Sequence, residues 1–291
     1  MECPHFSNHR HDDASASYAV AVTSLDDVSS PRPQSLMLSF FGIHVLGQQI
    51  ALSSGCVIEV FGRAGITEEA VRSTLTRMVN RGLLERHRRG RKMYFGLTER
   101  AVSVLQDGYD RIWQTGAVNR DWDGQWTLVG FSLPEAWRSD RHDLRSRLTW
   151  GGFGPLQNGL WVAPGVVDVP ALVDGLGLDS YLKVFRGAVV GPTEVAGVLE
   201  SAFDVEAIAK GYRAFLERWA AADVQDCLAG QLLLHTDWLD LVRRDPHLPA
   251  EHLPTDWPAA RAEALFRTLA ERFGADAGAE AARILDTVRI G

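Results

Sequence analysis

Arg72, Ser73, Thr76, Arg77 and Asn80 fall with Glu69 on one face of a helical repeat, while Val71, Leu75, Met78 and Val79 fall on the other. The polar face carries guanidinium, hydroxyl and amide groups, a donor set that suits the base edges and phosphates of a DNA groove. Shortly after, Arg88, Arg89, Arg91 and Lys92 cluster around Gly90, between the runs Leu83 to Arg86 and Met93 to Leu97. This pattern predicts a strand pair with a charged tip, a wing. Like charges this close repel one another, so phosphate or minor-groove contact is the chemistry that suits them. The competing readings are a solvated helix face and a charged hairpin that resists edge pairing.

From Arg72 to Arg100, nine basic residues meet only Glu85 and Glu99, a local charge of +7 in a chain whose net charge is −7. Positive potential is thus concentrated, and the acidic remainder keeps the chain from coating nucleic acid indiscriminately. A length of 291 residues predicts two or three domains. With 46% hydrophobic and 23% charged residues, the composition gives no support to a disordered or membrane class. Apolar runs fall far short of a bilayer span and the N-terminus lacks a basic-then-apolar leader, so a cytoplasmic protein without a membrane partner is expected. Cys3, Cys56 and Cys227 form no Cys-x-x-Cys pair, and no disulfide is expected.

Signals for catalysis are sparse. Gly151-Gly-Phe-Gly lacks the order of a phosphate loop, and no Gly-x-Ser-x-Gly elbow occurs. His235 with Asp237 and Asp240 has the residue types of an acid-base or metal group, but within an amphipathic helical pattern. His5, His9, His11, Asp12 and Asp13 lie in a tail without apolar period, where disorder is the expectation. No catalytic residue, metal or cofactor is assigned.

The elements that must position the basic face read as follows. Pro33 opens a helix running through Gln34 to Leu46, and Ser53 caps a second to Arg63. Thr67 caps the third, which Gly82 ends. Thr98 to about Gln114 predicts a helix with Val102, Leu105, Tyr109 and Ile112 on one side, able to lead into the next domain or to pair with a second copy. From Trp126 to about Val190, strands and helices alternate: Trp126 to Phe131, Arg138 to Trp150, Gly152 to Leu156, Leu160 to Ala163, Val169 to Leu176 and Tyr181 to Phe185. This order suggests a split β-α-β, ferredoxin-like unit. Phe203 onward reads as mainly helical, with a rigid crossing bounded by Pro246, Pro249, Pro254 and Pro258. The fold class expected is α+β: a tail at 1–32, a winged helix-turn-helix at 33–115, a ferredoxin-like middle domain at 116–195 and a helical C-terminal domain at 196–291.

Seven segments in this order resemble the PaaX family of bacterial repressors that control phenylacetate degradation. They are Ser35-Leu-Met-Leu-Ser-Phe-Phe-Gly, Val71-Arg-Ser-Thr-Leu-Thr-Arg-Met-Val, Gly90-Arg-Lys-Met-Tyr-Phe-Gly-Leu-Thr, Trp122-Asp-Gly-Gln-Trp, Trp150-Gly-Gly-Phe-Gly, Arg244-Asp-Pro-His-Leu-Pro and Leu253-Pro-Thr-Asp-Trp-Pro. The resemblance implies a three-part repressor of a double-stranded DNA operator, released by an acyl-CoA effector such as phenylacetyl-CoA; a homodimer is expected because a two-fold pair of helix-turn-helix units reads two half-sites and gains affinity by linkage. Arg138, Arg141 and Arg145, at helical spacing beside Trp137, are candidates for CoA phosphates, and Trp150, Phe153 and Trp161 for stacking on an acyl group or adenine. Against these stand a solvated helix face balanced by Asp140 and Asp143, and ordinary core packing. The alternative function is an enzyme or small-molecule binding protein that uses the winged helix for protein contacts or dimerisation.

Overall fold

The computed structural model describes residues 32–290, and apart from Arg32 the tail expected at 1–32 lies outside them. Helix α1 (Pro33–His44) begins at a proline, whose fixed φ and missing N–H suit a first turn. Strand β1 (Ile50–Ser53) leads into α2 (Ser54–Arg63), where Ser53 Oγ accepts a hydrogen bond from the Cys56 N–H at 3.3 Å. Helix α3 (Glu68–Asn80) is capped in the same way by Thr67, and Gly82 takes φ +66 after it. Phe40, Phe41 and Phe61 are fully buried beneath these helices, the rings of Phe40 and Phe61 meeting at 5.5 Å and 90°. Burying each such ring stabilises the fold by about 1.5–3 kcal/mol.

Strands β2 (Leu84–Arg89) and β3 (Lys92–Leu97) pair down to Arg89 opposite Lys92, so only Gly90 and Arg91 form the turn. The ladder therefore runs farther than the sequence suggests, because Gly90 takes φ +61 at the first turn position and permits a two-residue connection. Helix α4 (Glu99–Trp113) follows, capped by Thr98. Its buried line is Ala101, Leu105, Gly108 and Ile112. Val102 and Tyr109, expected on that side, are 41% and 45% exposed.

The middle of the chain supplies β4 (Trp126–Phe131), α5 (Arg138–Trp150), β5 (Gly154–Gln157), β6 (Leu160–Pro164), α6 (Val169–Val173) and β7 (Leu182–Gly187). They form an antiparallel sheet of order β5-β6-β4-β7. Leu144 and Leu148 of α5 and Val169 and Val173 of α6 pack with Val129 and Trp161 on one face. Helix α7 (Val195–Ala202) covers part of the other through Val198 and Leu199, packed with Trp126 and Val162. Its end comes so near that a Cβ on Gly154 would stand 2.2 Å from the Ala202 carbonyl oxygen.

Helices α8 (Val205–Ala220), α9 (Cys227–Val242) and α10 (Ala259–Ile284) complete the helical part. Helix α9 is buried on several sides. Leu228 and Leu232 enter the core of α1–α3, while Leu234, Trp238 and Leu239 enter that of α8 and α10, where Trp238 stacks on Phe266 at 4.8 Å. A short strand follows these helices. Strand β8 (Thr287–Arg289) pairs antiparallel with β1, giving a first sheet of order β2-β3-β1-β8.

Candidate nucleic-acid interface

Arg72, Ser73, Thr76, Arg77 and Asn80 are all exposed on α3, and four of them line a shallow depression with Glu68 and Glu69. The opposite face holds them in place, with Val71, Leu75 and Met78 buried in the core. Thr76 Oγ1 donates to the Arg72 carbonyl at 3.0 Å, and Arg77 Nη2 donates to Thr74 Oγ1 at 3.1 Å. Arg72 pairs with Glu68 at 2.7 Å, both side chains 59% exposed. An exposed pair of this kind contributes about 0–1 kcal/mol, so Arg72 can exchange its carboxylate for a phosphate at little cost. Arg81 extends the basic surface toward α1, donating to Gln34 at 2.7 Å.

The hairpin divides its cations between two faces. The register places Arg88 opposite Met93 and Arg86 opposite Phe95, on the side of the buried Phe95. Arg89 stands opposite Lys92 and His87 opposite Tyr94, on the outer side. Arg91 occupies the turn. Lys92 is the one whose partner the sequence did not reveal: its Nζ lies 2.8 Å from Asp286 Oδ2, just before β8, and Tyr94 donates its hydroxyl to the same carboxylate at 3.1 Å. This bond raises the Lys92 ammonium and lowers the Asp286 carboxyl from their ordinary values. The separation of some 194 positions explains why no local pattern announced it.

The second candidate set is divided between surface and core. Arg138 and Arg145 are exposed on α5. Arg141, between them, donates to the carbonyls of Leu133 and Pro134 at 3.0 and 3.1 Å, tying down the loop before the helix. Phe153 and Trp161 lie in the core at 3% and 7% exposure, so the stacking role expected of them gives way to packing. Trp150 has become a joint: the guanidinium carbons of Arg111 and Arg243 lie 5.1 and 4.9 Å from its ring, fastening α5 to α4 and to the residue that follows α9 through cation–π contacts. Arg147, not singled out in the sequence, is buried and donates to the Leu172 and Asp174 carbonyls.

His235 is a core side chain, packed against Trp113 and Phe266 at 5.8 and 5.4 Å. Burial, then nearby His44, lowers its pKa to about 4. Asp237 turns instead to Trp219 and Arg218, at 3.0 and 3.1 Å. Among the described residues no cluster of His, Cys, Asp and Glu has the arrangement of a metal site, and no helix is long and apolar enough to cross a membrane.

Three stretches of this chain match descriptions drawn from one family. Residues 32–101 match the PaaX-like protein, 119–199 the PaaX protein central Cas2-like domain, and 203–283 the PaaX-like protein C-terminal domain. The transcriptional repressor PaaX of Escherichia coli (strain K12) is 25% identical over 255 residues, 82% of this chain and 79% of that one. The uncharacterized protein Rv0674 from Mycobacterium tuberculosis has the same general fold, with a TM-score of 0.59 and 22% identity over 86% of this chain and 99% of its own. The three matches run in chain order from the exposed basic helix through the four-stranded middle sheet to the long final helix: the protein belongs to the PaaX family.

Proposed function

We propose that the protein is a transcriptional repressor of PaaX type, a regulator rather than an enzyme. The observation that carries this reading is the joint exposure of the α3 polar face and the basic hairpin on an otherwise acidic chain of that family. In it, α1–α4 with β1–β3 act as a winged helix: α3 reads base edges through Arg72, Ser73, Thr76, Arg77 and Asn80, while Arg88, Arg89, Arg91 and Lys92 hold phosphates. The middle sheet order, with β6 between the parallel β4 and β5, supports a ferredoxin-like unit. The regions 33–115, 116–195 and 196–291 serve as the reading, middle and helical domains. A cytoplasmic homodimer on two half-sites suits such a reader, since linkage raises affinity.

Release by an acyl-CoA is part of the proposal, with the exposed Arg138 and Arg145 available to its phosphates. Two experiments test the reading. Selection from a random-sequence duplex library should converge on a discrete motif, and failure to enrich any duplex would contradict DNA recognition. Calorimetry with phenylacetyl-CoA, with and without the selected duplex, should show mutually weakened binding. Binding indifferent to DNA would remove this thioester as inducer.

A further inference from the structure

The first sheet contains a strand that the family match does not include. The match to the C-terminal domain ends at residue 283, and β8 lies beyond it at Thr287–Arg289. Its pairing with β1 sets Ile50 opposite Arg289, Ala51 opposite Val288 and Leu52 opposite Thr287. Two further backbone bonds flank this ladder: Ser53 N–H to the Asp286 carbonyl at 2.9 Å, and Ile290 N–H to the Gln49 carbonyl at 3.0 Å. On the outer side of the sheet, Ala51 of β1 and Tyr94 and Gly96 of β3 are buried, while Arg89 and Lys92 at the hairpin tip stay exposed. Ala51 is 0% and Tyr94 6% exposed, and neither belongs to the core of α1–α3 that takes in Leu52 and Phe95. The Ile290 side chain reaches so close over β3 that a Cβ on Gly96 would meet it at 2.7 Å.

Behind β8 stands α10, 26 residues long, whose last turns enter the core of α1–α3 through Ala277 and Ala281. Glu280 on α10 and Asp226 at the start of α9 both pair with Arg63 at the end of α2. The reading head is therefore fastened to the C-terminal helices at its core and at the wing.

We propose that Asp286 is a positioning residue for DNA binding: through Lys92, Tyr94 and the β8–β1 ladder it clasps the wing to α10, so that the C-terminal region sets the wing's placement. This rests on the reading of α3 and β2–β3 as the DNA-binding surface. The clasp uses a backbone ladder that fixes height and register, and a carboxylate shared by two β3 side chains that fixes the hairpin's angle. A change in the helices that moved the end of α10 would be delivered to the wing directly, without passing through α3.

The test compares the full-length protein with Asp286→Asn, Asp286→Ala and Ile290→Ala, using the duplex selected by the wild type and a random duplex of equal length. Asp286→Ala should lower affinity for the selected duplex about five- to tenfold, within the usual span of couplings between sites, and leave the random duplex within about twofold. Asp286→Asn, which can still accept from Tyr94 and Lys92, should recover part of the loss. Hydrogen exchange should quicken in β1 and β3 but not in α3. Equal gains in affinity for both duplexes would overturn the proposal, since Asp286 would then merely screen Lys92. Unchanged affinity and exchange in both Asp286→Ala and Ile290→Ala would overturn it as well. If the wild type binds no duplex, the DNA reading fails, while the exchange data still decide whether the clasp exists.

Discussion

Arg72 and Arg77 leave α3 on its exposed face with different partners, and this separates their expected roles. Glu68 holds Arg72 through both Nε and Nη2, whereas Arg77 donates to the Thr74 hydroxyl. Glu68→Gln should free Arg72 and remove a negative charge facing DNA, raising affinity for any duplex by about twofold, as expected of an exposed pair. Anisotropy titrations against the selected and random duplexes would show it, and a loss of affinity would mean that Glu68 itself positions the contact. Arg77→Ala should cost about 1–3 kcal/mol on the selected duplex and loosen preference at one base position, read by repeating the selection with the variant. An equal loss on all sequences would make Arg77 a phosphate ligand. The exposure of these residues was legible because helix periodicity alone sorts α3 into two faces. The pairing of Lys92 with Asp286 was not, since it depends on where the chain's end returns.

Elements were readable in proportion to how locally they are determined. Helices α2, α3 and α4 start where Ser53, Thr67 and Thr98 supply cap oxygens, as their sequences predict. Strands β1 and β8 leave no sequence signal because they have four and three residues, too few to show an alternation, and exist by pairing, β1 with both β3 and β8. The buried line of α4 departs from its sequence pattern because α9 packs against Gly108, where a Cβ would meet Leu239 at 3.5 Å, and Val102 and Tyr109 turn outward. In the middle sheet, Gly154 permits the close approach of α7. Gly154→Val sets side-chain atoms against the Ala202 carbonyl and should destabilise the protein by about 1–3 kcal/mol through overpacking. Chemical denaturation would measure this, and an unchanged midpoint would show that α7 shifts freely.

On the scale of the whole molecule, α9 joins the core of α1–α3 to the helical region, and the half-buried His44 and buried His235 mark that seam. His44 on α1 and His235 on α9 both have pKa values lowered to about 4, chiefly by burial. The unfolded chain then binds more protons than the folded one between about pH 6.5 and 4, so stability is full above that window and falls as pH drops through it. Burial raises Asp237 and Asp240, whose protonation acts in the opposite sense nearer their own range. Between about pH 6.5 and 5 the histidines should dominate, and His235→Gln should flatten the acid loss. Denaturation midpoints across this interval would reveal it; equal slopes in variant and wild type would assign the pH dependence elsewhere. The alternation of strands and helices in the middle of the chain was legible from its pattern. The shared core was not, because α9 is apolar nearly all round and its sequence does not say which neighbours it will meet.

The central claim is that the α3 face and the hairpin bind duplex DNA through localised positive charge. Its most direct test is the salt dependence of binding to the selected duplex for the wild type and the Arg88→Ala/Arg89→Ala variant. The account predicts that log affinity falls linearly with log salt for the wild type, and that the variant's slope is shallower by about two units, one for each phosphate that an arginine no longer neutralises. Identical slopes for the two proteins, or wild-type binding insensitive to salt, would contradict it.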